Sequence, residues 1–216
     1  MKVLLIEYTS PLAVIKATAM PYQSKESIDV VSRVWNSGHR SIARHGMASF
    51  LVEGVSQSLL RQLSRHPHIN LTVKSSRFCN MDEVNNAVPP FISLTDRFEY
   101  NDDYETIMKI YHKWSEKDGY NNREQRNELA KLMLPLGSTT DLVLSGNYQA
   151  LYEFLQLRLC ERAEWEIRQL ANRLKYILSE IMPVIFKELN CKGNELGYCP
   201  EIHGSCGKHM VKQKVG

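Results

Sequence analysis

The sequence predicts a fold of the α/β (α+β) class, a single domain in which a mixed sheet is flanked by long helices. Three observations carry that expectation. The chain opens on a continuous apolar run, Val3-Leu4-Leu5-Ile6; residues 47–54 alternate apolar and polar; and residues 148–182 hold apolar side chains at helical spacing. With 216 residues, 43% of them hydrophobic, the chain can bury a substantial core, and no linker rich in Pro, Gly or Ser divides it.

Lys2–Tyr8 reads as a short buried strand ended by Thr9-Ser10-Pro11. Residues 24–37 place Ile28, Val31, Val34 and Trp35 on one helical face, and Gly38 is a natural C-terminal stop. After the strand over 47–54, marked by Phe50 and Val52, residues 55–65 form a helix with Leu59, Leu60 and Leu63 inward. That helix end delivers Arg61, Gln62 and Arg65. Pro67 stops the turn, 69–78 runs extended through Leu71 and Val73, and 85–90 is loop.

Helices follow over 104–114, with Ile107, Met108, Ile110 and Tyr111, and over 123–134, ended by Pro135. Residues 139–145 are a strand. In the run 148–182, Leu151, Phe154 and Leu155 come first, then Ile167, Leu170, Leu174, Ile177 and Ile181. The apolar stripe shifts near Cys160, so the helix either serves two neighbours in succession or bends there.

The formal net charge of +3 and a pI near 8.5 are too mild for a nucleic-acid coat, whereas local basic clusters suit a phosphorylated metabolite. No stretch approaches the roughly 18 uncharged residues of a membrane helix, and a cytoplasmic location is expected. Five cysteines without a secretory signal read as thiols rather than a disulfide framework.

The segment 62–77 concentrates Arg65, His66, His68, Lys74, Ser75 and Arg77. Planar, permanently charged guanidinium forks and short hydroxyl donors are what a protein uses to hold phosphate. Arg158 falls between Phe154 and Leu155 on an apolar helix face, where a charge requires a partner. An internal salt bridge, a snorkelling side chain and a buried ligand all answer that requirement.

His39 and His45 lie in a connection where loop residues commonly meet ligands, though hydrogen-bonded structural histidines fit equally. Asn147 is placed to cap the following helix, and Lys131 reads as a solvated charge near a helix C-terminus. The tail carries Cys191, Cys199, His203, Cys206 and His209, enough side chains for four-coordinate zinc. It has no Cys-x-x-Cys pair, so loose thiols are the reading adopted and no metal is assigned. Dinucleotide, phosphate-loop and serine-elbow motifs are all missing from the sequence.

Gln62-x-x-Arg65-His66 followed by Ser75-x-Arg77 resembles the signature of flavin-dependent thymidylate synthases, the thymidylate synthase-complementing-protein fold. Gly38-His39-x-Ser41 with His45, Leu134-Pro135-Leu136, Asn147, Leu157-Arg158 and Ala163-x-Trp165-Glu166-Ile167 extend the resemblance in order over residues 1–185, leaving 186–216 as a Cys/His-containing tail. The resemblance implies that Gln62, Arg65, Ser75, Arg77, Lys131 and Arg158 bind dUMP, with Arg158 as the catalytic residue at the pyrimidine ring. It implies FAD contacts from His39, Ser41, Arg65, His66 and Asn147.

The implied reaction is one-carbon transfer from methylenetetrahydrofolate to C5 of dUMP, giving dTMP, with NADPH as reductant, in a homotetramer with shared active sites. Pro67, Val73, Gln149 and Glu153 depart from the family pattern. Two alternatives stand beside it: a dUMP hydroxymethylase on the same scaffold, and a nucleic-acid-binding module with a zinc tail.

Overall fold

The computed structural model describes residues 1–79, 81 and 84–211. One four-stranded sheet runs in the order β1-β2-β4-β3, formed by β1 (Lys2–Tyr8), β2 (Met47–Ser56), β3 (Asn70–Val73) and β4 (Thr139–Asn147). Helices α1 (Pro11–Ala19), α2 (Ile28–Asn36), α3 (Gln57–Leu63), α4 (Leu94–Ser115), α5 (Arg123–Ala130), α6 (Tyr148–Arg158), α7 (Trp165–Ile181), α8 (Pro183–Phe186) and α9 (Lys192–Leu196) surround it. The expected class is therefore the observed one, but the sheet is antiparallel where a mixed one was expected. Within it the strands pair antiparallel: Thr9 N–H bonds Met47 O, Gln57 N–H bonds Ser138 O, and Lys74 N–H bonds Asp141 O.

Two compact units interleave along the chain. One comprises Met1–Lys2, Val52–Arg65 and Leu71–Val143; the other comprises Val3–Leu51, His66–Asn70 and the chain from Leu144 onward. In the first, Met81, Tyr104, Met108, Tyr111 and Ala130 form the core, with Val84, Trp114 and Leu134 packed on its edge. The Tyr104 hydroxyl lies 3.2 Å from Ser138 Oγ and from the Val84 carbonyl, which satisfies the one polar atom of a buried ring. Core residues of the second unit include Val31, Phe50, Tyr148, Leu151, Leu155, Ile167, Leu170, Leu174 and Phe186.

Local chemistry sets the element ends. Ser27, Ser56 and Ser93 each cap a helix by accepting a backbone N–H three residues on, and Asn147 does the same for α6, accepting from Ala150 N at 2.8 Å. In β2 the alternation Ala48, Phe50, Val52 shifts by one at Gly54, whose φ of +70° a side chain would strain. Val55 and Ser56 are then buried in succession.

Several expectations are corrected. β1 is an edge strand with Leu4, Ile6 and Tyr8 exposed, not a buried one. Pro11, read as a strand terminator, starts α1: Ser10 Oγ accepts from Leu12 N, and proline is tolerated at a first helical position, where its missing N–H costs no bond. Helix α4 begins ten residues earlier than the expected 104–114 span, because its first turns carry their apolar side chains, Leu94 and Phe98, outward. Helix α5 stops at Ala130 and tightens into a 3₁₀ turn over Lys131–Met133, since Pro135 drives Leu134 into extended backbone with ψ 127°.

The long run over 148–182 breaks at residues 159–164, between α6 and α7. The turn is closed by Ala163 N–H to Cys160 O at 2.9 Å and by the ion pair of Glu161 with Arg168. A break lets each helix present its own apolar stripe to the core.

Gly46 lies against the ring of Tyr148, where an added Cβ would overlap the ring carbons. Tyr148 is fully buried and its hydroxyl is bonded to Thr9 O at 2.9 Å, so the ring cannot step aside. Gly46→Ala is expected to destabilise the chain by about 1–3 kcal/mol, measured by denaturant unfolding, with no effect expected from Gly119→Ser in the exposed 116–122 connection beyond backbone strain.

Candidate functional site

Two groups of the sequence-predicted residues are assembled, one in each unit. In the first unit, Gln62 sits in the last turn of α3 and Arg65 lies just past its end, exposed. Ser75 and Arg77 occupy the turn after β3, and the Ser75 hydroxyl accepts from Arg77 N at 3.3 Å. The Arg77 guanidinium is half-exposed and forked across α5, bonding Glu124 at 3.1 Å and Glu128 at 2.8 Å. Its backbone carbonyl accepts from Asn127 Nδ2 at 2.8 Å. Lys131 follows directly on α5. Hence Ser75, Arg77 and Lys131 share one scaffold.

In the second unit Arg158 is the last residue of α6, and its Nε–H donates to His66 Nε2 at 3.0 Å. Phe154, one turn earlier, meets the His66 ring edge to face at 4.8 Å between centroids. Desolvation lowers the pKa of His66 below its ordinary 6.5, and the nearby Arg158 charge lowers it further. A neutral imidazole accepting at Nε2 carries its proton on Nδ1, so the bond selects one tautomer. Burial also lowers the pKa of Arg158, which stays charged. Among the described residues no carboxylate pairs with it. A partly desolvated guanidinium held by a neutral ring keeps its terminal N–H groups and its charge for an anionic or carbonyl-bearing ligand.

Asn147 opens the helix that Arg158 closes, and its side-chain oxygen is the α6 cap, the structural role that the sequence also allowed. His39 and Ser41, both exposed, flank the start of the 3₁₀ segment Arg40–His45, which packs on α6 and is tied to it by Arg44 Nε–H to Gln149 Oε1 at 2.7 Å. Gln149 Nε2 in turn donates to Glu153 at 2.9 Å, so two of the positions that depart from the family pattern bond each other.

Sequence reading passed over Arg40. Its guanidinium lies over the rings of Trp35 and Tyr152, at 4.4 and 4.8 Å, and it pairs with Glu195 of α9. The order Gly-His-Arg-Ser gave no hint of aromatic partners brought in by α2 and α6. Among the described residues, no group of three or more His, Cys, Asp or Glu side chains is placed to hold a metal ion, and no helix is long and apolar enough to cross a membrane.

In the first unit Arg65 and Arg77 supply cationic forks and Ser75 a hydroxyl, donors of the kind a phosphate takes; in the second Ser41 supplies a hydroxyl, Asn147 an amide and His66 an uncharged ring, neutral polar groups of the kind a flavin dinucleotide takes.

The family model described as thymidylate synthase complementing protein matches residues 4–184. The flavin-dependent thymidylate synthase of Nitratidesulfovibrio vulgaris is 31% identical over 191 residues, spanning 86% of this chain and 78% of that protein. That of Clostridium tetani is 28% identical over 242 residues, spanning 99% and 96%. The structure of the flavin-dependent enzyme ThyX from Helicobacter pylori, complexed with FAD and dUMP, superposes with a TM-score of 0.72 at 26% identity, covering 88% of this chain and all of that one.

The His66 geometry has a pH consequence. Its folded-state pKa lies below the unfolded value of 6.5, so the unfolded chain binds the extra proton. The stability that neutral His66 contributes is full above 6.5 and is lost as pH falls below it. The denaturant midpoint is expected to drop across that interval, and His66→Asn, which keeps an acceptor but cannot titrate, is expected to flatten the drop.

Proposed function

Since the chain belongs to the thymidylate synthase complementing protein family, we propose that it is a flavin-dependent thymidylate synthase, an enzyme that converts dUMP to dTMP. The observation that carries this reading is Arg158, a half-buried guanidinium with a neutral histidine for a partner, at the end of a rigid helix. We further propose methylenetetrahydrofolate as the one-carbon donor, NADPH as the reductant, the cytoplasm as its location and a homotetramer as the working assembly. Exposed apolar side chains support the last point: Leu4, Ile6 and Tyr8 along β1, and Leu94 and Phe98 at the start of α4.

In this reading Arg158 meets the pyrimidine ring. Negative charge develops on the ring as C5 becomes nucleophilic, and a fixed, desolvated cation stabilises that charge more than it stabilises the ground state. His66 is a positioning residue for that step: by accepting from Nε it aims the two terminal NH2 groups and adds no counter-charge. Ser75 and Arg77 receive the phosphate of dUMP, with Gln62, Arg65 and Lys131 completing the nucleotide site. Arg77 then exchanges two exposed carboxylates for a phosphate dianion, a change that costs little because surface ion pairs are worth only about 0–1 kcal/mol.

His39, Ser41, Arg65, His66 and Asn147 are proposed to line the FAD. When bound, that cofactor supplies the hydride chemistry, and the chain positions and shields. Pro67 contributes neither cation nor backbone donor there.

Arg158→Ala is expected to cut dUMP-dependent NADPH oxidation by roughly 10²–10³-fold, with Arg158→Lys recovering little because an ammonium lacks the planar fork. An unchanged rate in Arg158→Ala would remove the central assignment. Arg77→Ala should instead raise KM for dUMP by about tenfold or more and leave kcat nearly intact, the signature of a lost ground-state phosphate contact. Protein reconstituted with excess FAD should retain flavin absorbance through gel filtration.

A further inference from the structure

Four of the five cysteines, Cys160, Cys191, Cys199 and Cys206, line one cavity of about 470 Å³ beside Arg158, between the 159–164 turn and the C-terminal tail. We propose that this cavity is a structural site for a thiophilic divalent ion of the zinc class, with those four sulfurs as its ligands, fastening the tail to the turn that follows Arg158.

The tail needs such a fastening. Across residues 190–211 only Gly193 is buried, while Leu196, Ile202 and Met210 are 45%, 49% and 85% exposed. A segment with no apolar core of its own nevertheless folds back compactly. Gly197, Gly204 and Gly207 turn it at positive φ, and Cys199 N–H bonds Met210 O at 2.8 Å. Short segments of this kind are held by a cross-link or a metal, because hydrophobic burial cannot offset their chain entropy. All five cysteines are free thiols, which leaves the metal.

The donor chemistry selects the ion. Cys191 Sγ faces Asn194 Oδ1 at 3.7 Å and Cys199 Sγ faces Glu201 O at 3.9 Å, weak contacts that a metal bond replaces at no great loss. His209 also lines the cavity, but its Nε2 is engaged with Asn194 Oδ1 at 2.9 Å, so the sulfurs make up the set. Binding expels a proton from each thiol to solvent and leaves the four thiolates with a doubly charged ion, net −2. Arg162 and Lys192 line the same cavity beside Glu201, and these two cations offset that charge, which leaves the Arg158 guanidinium to its own site. No three donors converge yet among the described residues. Neutral thiols have no mutual attraction, and convergence is the work the ion does on a tail with glycine hinges.

The test is metal analysis of the full chain produced with zinc, together with cobalt substitution, which reports sulfur ligation by a charge-transfer band and tetrahedral geometry by intense d–d bands. Stoichiometric zinc and both cobalt signatures are expected, lost in Cys160→Ser and in Cys206→Ser, and retained in Cys79→Ser and His209→Ala. Cys206 is exposed near the chain end, so its variant folds even if that of Cys160 does not. Zinc-free protein with every thiol reactive, iron with labile sulfide, a disulfide among these cysteines, or zinc retained by Cys206→Ser would each overturn the proposal.

Discussion

The bond from Arg158 to His66 sets the terms for the second unit's chemistry. A guanidinium at the end of an apolar helix usually finds a carboxylate, which would settle its desolvation cost and cancel its field. Here the partner is an imidazole that burial keeps neutral, so the charge is oriented without being neutralised. Phe154 walls the ring on the same helix, and one turn of α6 therefore supplies both the cation and the apolar surroundings that keep its partner uncharged.

Arg77 is built on the opposite principle. It is exposed, doubly paired with Glu124 and Glu128, and fastened through its backbone to Asn127. Such pairs hold a side chain in a known direction at small free-energy cost, and a phosphate with more charge and better geometry replaces them readily. One arginine is suited to stabilising charge that appears during reaction, the other to docking charge that arrives with the substrate.

The contrast also separates what the sequence reveals from what it hides. Arg158 was legible because helical periodicity placed a charge on an apolar face, and the strand at 47–54 was legible from alternation. Its partner was not, since His66 lies far away in the chain and no local pattern ties the two. Helix α1 was hidden by reading Pro11 as an end rather than a first turn, and the start of α4 by apolar residues that face outward. The pairing of Arg77 with α5 was invisible for the same reason as His66: it depends on elements about fifty residues apart meeting in space. Cys160 gave no sign of company in the tail, because all of α7 intervenes.

The break between α6 and α7 links these observations. Arg158 ends its helix, so its direction depends on the turn that follows as much as on the helix that precedes it. Within that turn, Ala163 N–H closes on Cys160 O, and Glu161 engages Arg168 at both its carboxylate and its backbone carbonyl. Lys208 of the tail reaches Glu161 as well, at 3.8 Å. Exposed ion pairs of this sort contribute little individually, yet they converge on the six residues whose backbone fixes where the guanidinium points. A continuous helix through residue 160 would have carried the chain onward along its axis and left Arg158 as one more side chain on a helical face. The interruption makes it a terminus, braced from the core by Phe154 and Leu155 and from outside by the tail.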